Sequence, residues 1–378
     1  MKRIISCLVS LAILLSLNST VFAMDVNTSS SSAADTSSNT MFIYSHSCPT
    51  QYSAFAEETV GQFLNASEFA GLSPCYLGTP FTFANAGSDI YYFPIYYTGE
   101  IICILRVYSD ESGNIAGVLS KGFAEELNTV AESTSATNPL KIIFDGKNVV
   151  FETKENKYTV LSYPTAAENL SVTSTIEIGS DGFGVIECSS ENSLAITLPQ
   201  ISVLSTTSST YLDLFLGANE PAETQPNWYS WCTAYAASAI MRYKGRSNIY
   251  AEDIMAYWCG DNPDPSDTIT VAEACSYANL YGFVATFTNS TLSYARLCSE
   301  IDNDRPVFLV MQRTVNGNYS YHAIVLCGYN NISAMVRIWN PWYKYYETIY
   351  SLNNYVPSED QSRTYVYIET IYNWKTSG

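Results

Sequence analysis

Two side chains in this sequence are placed to act as a nucleophile and its base. Cys232 opens an Ala-rich run, Trp231 to Tyr243, whose aliphatic and aromatic residues recur at helical spacing, with Gly245 just beyond its end. With Ser230 as the expected cap, the thiol falls in the first helical turn. There, free N–H groups and the positive end of the dipole favour a thiolate. The neighbouring thiols are placed otherwise: Cys259 ends its expected helix beside Gly260, Cys275 and Cys298 fall mid-helix, and Cys327 lies inside an apolar strand. These read as packing or disulfide residues. His322 heads the run His322-Ala-Ile-Val-Leu-Cys-Gly-Tyr329, a polar ring at the start of an apolar strand. A strand histidine by itself is more often a hydrogen-bonded structural residue. Beside a reactive thiol it becomes the natural general base.

Histidine is scarce enough to exclude whole classes of chemistry. The chain has two, His46 and His322, so a His-rich zinc site or an HExxH helix is ruled out. His46 sits among Ser, Cys and Pro with no nucleophile patterned near it, and is expected to be a surface or packing residue. The cysteines lack paired CxxC spacing, so no structural zinc is expected, and the proposed chemistry needs no metal or organic cofactor.

Two amides fit the roles left over. Asn340, ending the strand after that of His322, could accept from the imidazole and fix its tautomer. Gln225 lies shortly before Cys232, near enough for its amide to meet an oxyanion beside the thiol, with the Cys232 N–H as second donor. Either one alone is an ordinary loop amide.

The elements that must position these groups fall into two textures. From 41 to about 200 the chain reads as α+β: a helix over Tyr52 to Leu64, a hairpin of Ile90–Tyr97 and Glu100–Tyr108 across Thr98-Gly99, and a helix over Lys121 to Thr129. A meander follows, with Ile142–Phe144 and Val149–Phe151 around Asp145-Gly146-Lys147-Asn148, then Lys157–Ser162. Leu204 to Thr224 is rich in Ser and Thr and ends in turn formers, marking an exposed linker. Beyond it helices come first: Trp231–Tyr243, Tyr250–Trp258, Val271–Tyr281 after the capping box Thr270-x-x-Glu273, and Leu292–Ile301. Strands come second: Val307–Arg313 and Tyr319–Gly328 across Asn316-Gly317-Asn318, then Ala334–Trp339, Tyr345–Tyr350 and Thr364–Tyr372. Helices followed by an antiparallel sheet make an α+β unit with room for a cleft between the layers.

Composition and the chain start bound the setting. At 378 residues, 47% hydrophobic and 14% charged, the chain is globular and of about two domains. A net charge of −18 repels nucleic acid and anionic lipid, so neither is expected as a partner. Lys2 and Arg3, the apolar stretch Ile4–Leu17, and the small residues Val21 and Ala23 read as a signal peptide cleaved before Met24. A retained signal-anchor is the competing reading. Residues 24–40 read as a flexible Ser/Thr-rich tether, so the mature chain is expected outside the cell without stable membrane association, as a monomer.

The order Gln225…Trp231-Cys232, then His322-Ala-x-x-x-x-Gly-Tyr329, then Asn340-Pro-Trp342 resembles the papain-like cysteine peptidases, most of all the secreted bacterial staphopain-like and C39-like branch. The helix running into Asp304-Arg305-Pro306 and a strand is also similar, and the resemblance covers about residues 220 to 372. It implies a papain-like α+β catalytic domain at 216–378 with Cys232, His322, Asn340 and Gln225 as its catalytic set, and Trp342 shielding the Asn–His bond. It also implies that 41–215 is an α+β propeptide that folds on its own and blocks the cleft, so that the chain is a zymogen of an endopeptidase acting on proteins or peptides. Thr233, where the family commonly has a small residue or Trp, departs from the pattern and leaves the pocket details open. Two alternatives stand beside this: an amidase, cell-wall peptide hydrolase or transglutaminase-like acyl transferase using the same Cys–His chemistry, and an inactive secreted binding protein on the same fold.

Overall fold

The computed structural model describes residues 40–85, 90–110, 112–145, 148–162, 183–196, 210–226, 228–315, 318–331, 333–353, 355–356 and 364–376. The segments read above as a signal peptide (1–23) and a tether (up to 39), the first part of the expected linker (204–209) and the turn residues Gly146-Lys147 and Asn316-Gly317 lie outside them.

The N-terminal part opens with β1 (Met41–His46) and α1 (Thr50–Asn65), followed by β2 (Cys75–Leu77), β3 (Ile90–Tyr97), β4 (Glu100–Ser109), β5 (Ile115–Ser120) and α2 (Ala124–Ala131). Then come β6 (Lys141–Phe144), β7 (Asn148–Glu152), β8 (Lys157–Ser162), β9 (Phe183–Cys188), β10 (Leu194–Ile196) and β11 (Thr210–Tyr211). The hairpin of β3 and β4 turns where Thr98 and Gly99 both take positive φ, 51° and 89°, the backbone that a two-residue turn of matching twist demands. On α1, Tyr52, Ala56, Val60, Phe63 and Leu64 form one apolar face, packed on Tyr91, Phe93, Leu105 and Val107 of the sheet.

The C-terminal part places helices first: α3 (Cys232–Tyr243), α4 (Ala251–Cys259) and α5 (Val271–Leu280), then β12 (Phe283–Thr288) and α6 (Tyr294–Asp302). The strands β13 (Val307–Val315), β14 (Asn318–Asn330), β15 (Met335–Trp339), β16 (Tyr346–Ile349) and β17 (Val366–Thr376) complete it. The whole is α+β, with six helices among the described residues and almost entirely antiparallel sheets. The capping box at the start of α5 forms as its sequence requires, Thr270 accepting from the Glu273 N–H and Glu273 accepting from that of Thr270.

Three features differ from the expectation. Trp231, not Ser230, holds the cap position of α3, because the loop is fixed by other bonds: the Ser230 N–H donates to Pro265 O at 2.7 Å and the Trp231 indole to Asp264 O at 3.1 Å. Among its described residues, the supposed exposed linker has one continuous exposed run, Leu216 to Glu220, with Asp213 and Ala222 exposed singly. Before it, β11 pairs with β14, and Leu212, Leu214 and Phe215 are buried, an apolar alternation that the surrounding Ser and Thr hid. That pairing depends on Gly328, where a Cβ would stand 2.3 Å from the Tyr211 ring. Finally, β12, between α5 and α6, was not anticipated; it pairs with β17.

One sheet crosses both parts of the chain. Its order is β10-β2-β3-β4-β5-β16-β15-β14-β13-β17-β12, with β11 on β14 outside that path. The junction is the pairing of β5 with β16, in which Val118, Leu119 and Ser120 face Ile349, Thr348 and Glu347. One hydrophobic core runs along it from Phe81, Tyr92 and Ile104 on one side to Trp339, Tyr346 and Trp374 on the other, and a second lies under α1. No helix among the described residues is long and apolar enough to cross a membrane.

Candidate active site

Cys232 is the first residue of α3 and is half-buried. The helix can approach β14 closely because Ala234, Ala236, Ala237 and Ala239 are buried along it. Its first turn carries no acid, so its free N–H groups face the thiol uncancelled. The segment leading to it is pinned by Glu223, which accepts from Ser238 Oγ at 2.5 Å, pairs with Arg242, and takes the Ala251 N–H at the start of α4. That anchor fixes Gln225 two residues on. Gln225 is itself buried, and its backbone N–H donates to Pro341 O at 2.8 Å, beside Asn340. Its side-chain amide donates to Tyr229 O, which occupies one of its two N–H groups.

His322 lies on β14 opposite Met311 of β13 and is 2% exposed. Trp342 stacks on the ring with centroids 3.9 Å apart and planes 23° from parallel. Asn340, fully buried at the end of β15, takes the ring nitrogen Nε2 on its Oδ1 at 2.9 Å. The same Oδ1 accepts the Trp342 backbone N–H at 3.1 Å. A backbone N–H can only donate, so that contact fixes which end of the amide is oxygen, and His322 must then carry its proton on Nε2. Nδ1 is left with a lone pair, the form a general base needs. The other end of the amide donates from Nδ2 to Tyr355 Oη at 2.9 Å, and Tyr355 donates in turn to the buried carboxylate of Glu347.

Cys232, His322, Gln225 and Trp342 line one cleft of about 670 Å³. Its walls include Tyr229, Ile269, Phe287 and Tyr365, with one carboxylate, Glu369. All its lining residues fall between 225 and 369; the N-terminal part joins the same sheet through the β5–β16 pairing. Burial drives the His322 pKa down from 6.5 to about 3, opposed by the Asn340 bond and helped by Arg313. Burial also raises the Cys232 thiol. Hydrogen bonds from the Ala323 backbone, the Thr233 hydroxyl and backbone, and its own N–H pull it back. Both effects oppose charge on the two groups, against the helix start, which favours a thiolate.

The other sequence candidates are placed elsewhere. His46, half-buried at the end of β1, packs on Phe183 at 3.4 Å between centroids. Each of the nine described cysteines is a free thiol. Cys259 is exposed at the end of α4, whereas Cys275, Cys298 and Cys327 are buried. Among the described residues no cluster of three or more His, Cys, Asp or Glu could hold a metal ion. Sequence reasoning missed Tyr355 and Glu347. Nothing marks one Tyr among thirty, but Glu347 is the only acid in the strand Tyr345–Tyr350, and a lone carboxylate amid aromatics was a legible signal.

Comparison with curated proteins gave no match. Residues 218–367 match the model of the Peptidase_C39 like family, and that match, on a papain-like α+β fold, makes this part of the chain similar to cysteine peptidases, a class of hydrolases.

Proposed function

We propose that the chain is an exported cysteine endopeptidase, made as a zymogen, that hydrolyses peptide bonds through Cys232, His322 and Asn340 with Gln225 as an oxyanion donor. The observation that carries this reading is the 2.9 Å bond from His322 Nε2 to Asn340 Oδ1, which frees Nδ1 in the cleft that also holds the thiol. As the Cys232 sulfur attacks a peptide carbonyl, Nδ1 takes the thiol proton. The carbonyl oxygen becomes an oxyanion, held by the Cys232 N–H and by the Gln225 N–H not given to Tyr229. The imidazolium then protonates the departing amine, leaving a thioester. Water, losing its proton to the same Nδ1, attacks the thioester and releases the acid and the thiol. Asn340 as third residue, in place of Asp or His, separates this reading from the amidase and transferase alternatives.

The branch resembling staphopains, export by the segment 1–23, and a latent precursor belong to the same proposal. The exposed run Leu216–Glu220, between buried Phe215 and anchored Glu223, is the natural site for the activating cut. An epoxide-type thiol inhibitor, located by mass spectrometry, is expected on Cys232 in the processed protein. Its absence there would overturn the enzyme and favour a binding protein. Cys232→Ala is expected to leave the precursor at full length where the wild type shortens; equal conversion would end self-processing.

A further inference from the structure

The buried carboxylate behind Asn340 is approached from the other part of the chain. Glu347 is 2% exposed and sits on β16, the strand that pairs with β5. Arg106, on β4, lines the same small cavity as Glu347, together with Ser120 and Phe123. Its guanidinium donates to the Val356 carbonyl, the residue after Tyr355. Arg106 is itself buried. A buried carboxylate is costly unless a cation opposes it, and Arg106 is the cation whose charge acts on this one. Further ties hold the two parts in place: Arg337 to Glu68 at 3.4 Å, and Thr348 Oγ1 to Ala66 O at 3.4 Å.

Every bond from that carboxylate to the imidazole has a fixed direction. Glu347 accepts the Tyr355 hydroxyl proton, which leaves Tyr355 Oη to accept from Asn340 Nδ2. With Nδ2 engaged, Oδ1 faces His322 Nε2–H. If Glu347 lost its hold on Tyr355, the Tyr355 hydroxyl would no longer be fixed as an acceptor, and the Asn340 amide would be oriented by the Trp342 N–H alone.

We propose that the N-terminal part is a working component of the catalytic site: Arg106 offsets the burial of Glu347, and Glu347 and Tyr355 act as positioning residues that orient Asn340 and, through it, the base His322. This rests on the Cys–His–Asn reading above. It also changes the zymogen scheme, since a cut at 216–220 then activates the chain while its N-terminal part stays seated on β16.

The test uses the full chain cut at 216–220 by an added protease, so that latency limits no variant. Tyr355→Phe, Glu347→Gln, Arg106→Met and Arg106→Lys are compared with wild type by peptide hydrolysis, thermal unfolding and nitrogen NMR of the imidazoles. Two histidines make the His322 signal simple to assign. Tyr355→Phe removes one hydroxyl and keeps the ring, so it carries the test if Arg106→Met fails to fold. Expected are a fall in kcat of roughly ten-fold or more, KM within about two-fold, and a shifted His322 Nε2 signal, with Arg106→Lys recovering most of the loss. Unchanged kcat and an unmoved His322 signal in folded Tyr355→Phe overturn the proposal while leaving the peptidase intact. Wild type that neither turns over peptide nor takes inhibitor on Cys232 overturns the peptidase reading, and the positioning role with it.

Discussion

The strands on either side of the β5–β16 junction are alike in construction and unlike in what they bury. On one side β3, β4 and β5 are antiparallel and largely apolar, and so on the other are β13, β14, β15 and β16. Before the linker, the buried polar residues are mainly Ser45, Ser67, Thr82 and Ser189, hydroxyls that a nearby backbone group can satisfy. After it they include Gln225, His322, Asn340 and Glu347, and also Arg242, Glu300, Arg313, Asn330 and Arg337, groups that need specific partners and cost stability without them. The exceptions, Arg106 and Asp110, lie toward the end of β4, and Arg106 is the one that reaches across the junction. The costly buried polar groups therefore gather in the C-terminal part, those of the candidate site among them.

The sharpest test of that contrast is the same substitution on the two histidines. Cys232→Ala and His322→Ala should each lower peptide hydrolysis by about 10⁴-fold or more, as for other nucleophile–base pairs. His46→Ala, which loses only a ring contact with Phe183, should leave turnover within about two-fold. Equal losses at both histidines would erase the contrast. Gln225→Ala should cost about 10²–10³ in kcat, the usual price of one oxyanion donor, with the fold intact by circular dichroism. Smaller again, in stability, is a pair of tryptophans. Trp339→Ala, fully buried, should cost about 3–5 kcal/mol by urea unfolding, whereas Trp228→Ala, 66% exposed, should stay within about 0.5 kcal/mol.

The least expected effect is a pH dependence in which two buried groups oppose each other. His322 is held neutral, its pKa moved from 6.5 down to about 3, so the unfolded chain takes up the proton first. Its contribution is present above pH 6.5 and is lost as pH falls toward 3. Glu347 is pushed from 4.5 up to about 7, first by burial, with Arg106 and Tyr355 opposing. Its contribution is present below pH 4.5 and is lost as pH rises through 7, with Arg106 and Tyr108 of β4 and Tyr355 as its charged and titratable neighbours. Urea midpoints between about pH 4 and pH 8 should therefore be flat for wild type through the window where both titrate. Glu347→Gln should unmask a rise with pH, and His322→Gln a fall. Parallel curves for all three would show that neither proton is linked to folding.

Much of the fold could be read before any coordinates because local rules agree with the global arrangement. Thr98-Gly99 demanded a hairpin, Thr270-x-x-Glu273 demanded a helix start, and Gly260 and Gly282 stopped their helices with positive φ. The candidate site was legible through scarcity and order: one histidine after the linker, and one thiol at a helix start. The remainder depends on pairings between distant segments, which no local pattern encodes. Nothing in Ile115–Ser120 says that its partner is Tyr346–Ile349, more than two hundred residues on. Tyr355 and Glu347 were overlooked for the same reason, since their meaning comes only from standing behind Asn340.

The β5–β16 seam has a bearing on what happens if the N-terminal part ever departs. Tyr346–Ile349 would become an open strand edge, its backbone N–H and C=O groups unpaired and its residues apolar apart from Glu347 and Thr348. Such an edge accepts any extended polypeptide, whether another molecule of the same kind or a stretch of some other protein. A freed catalytic part would thus be adhesive as well as active, prone to clump or to cling to its surroundings until a new strand closed the gap.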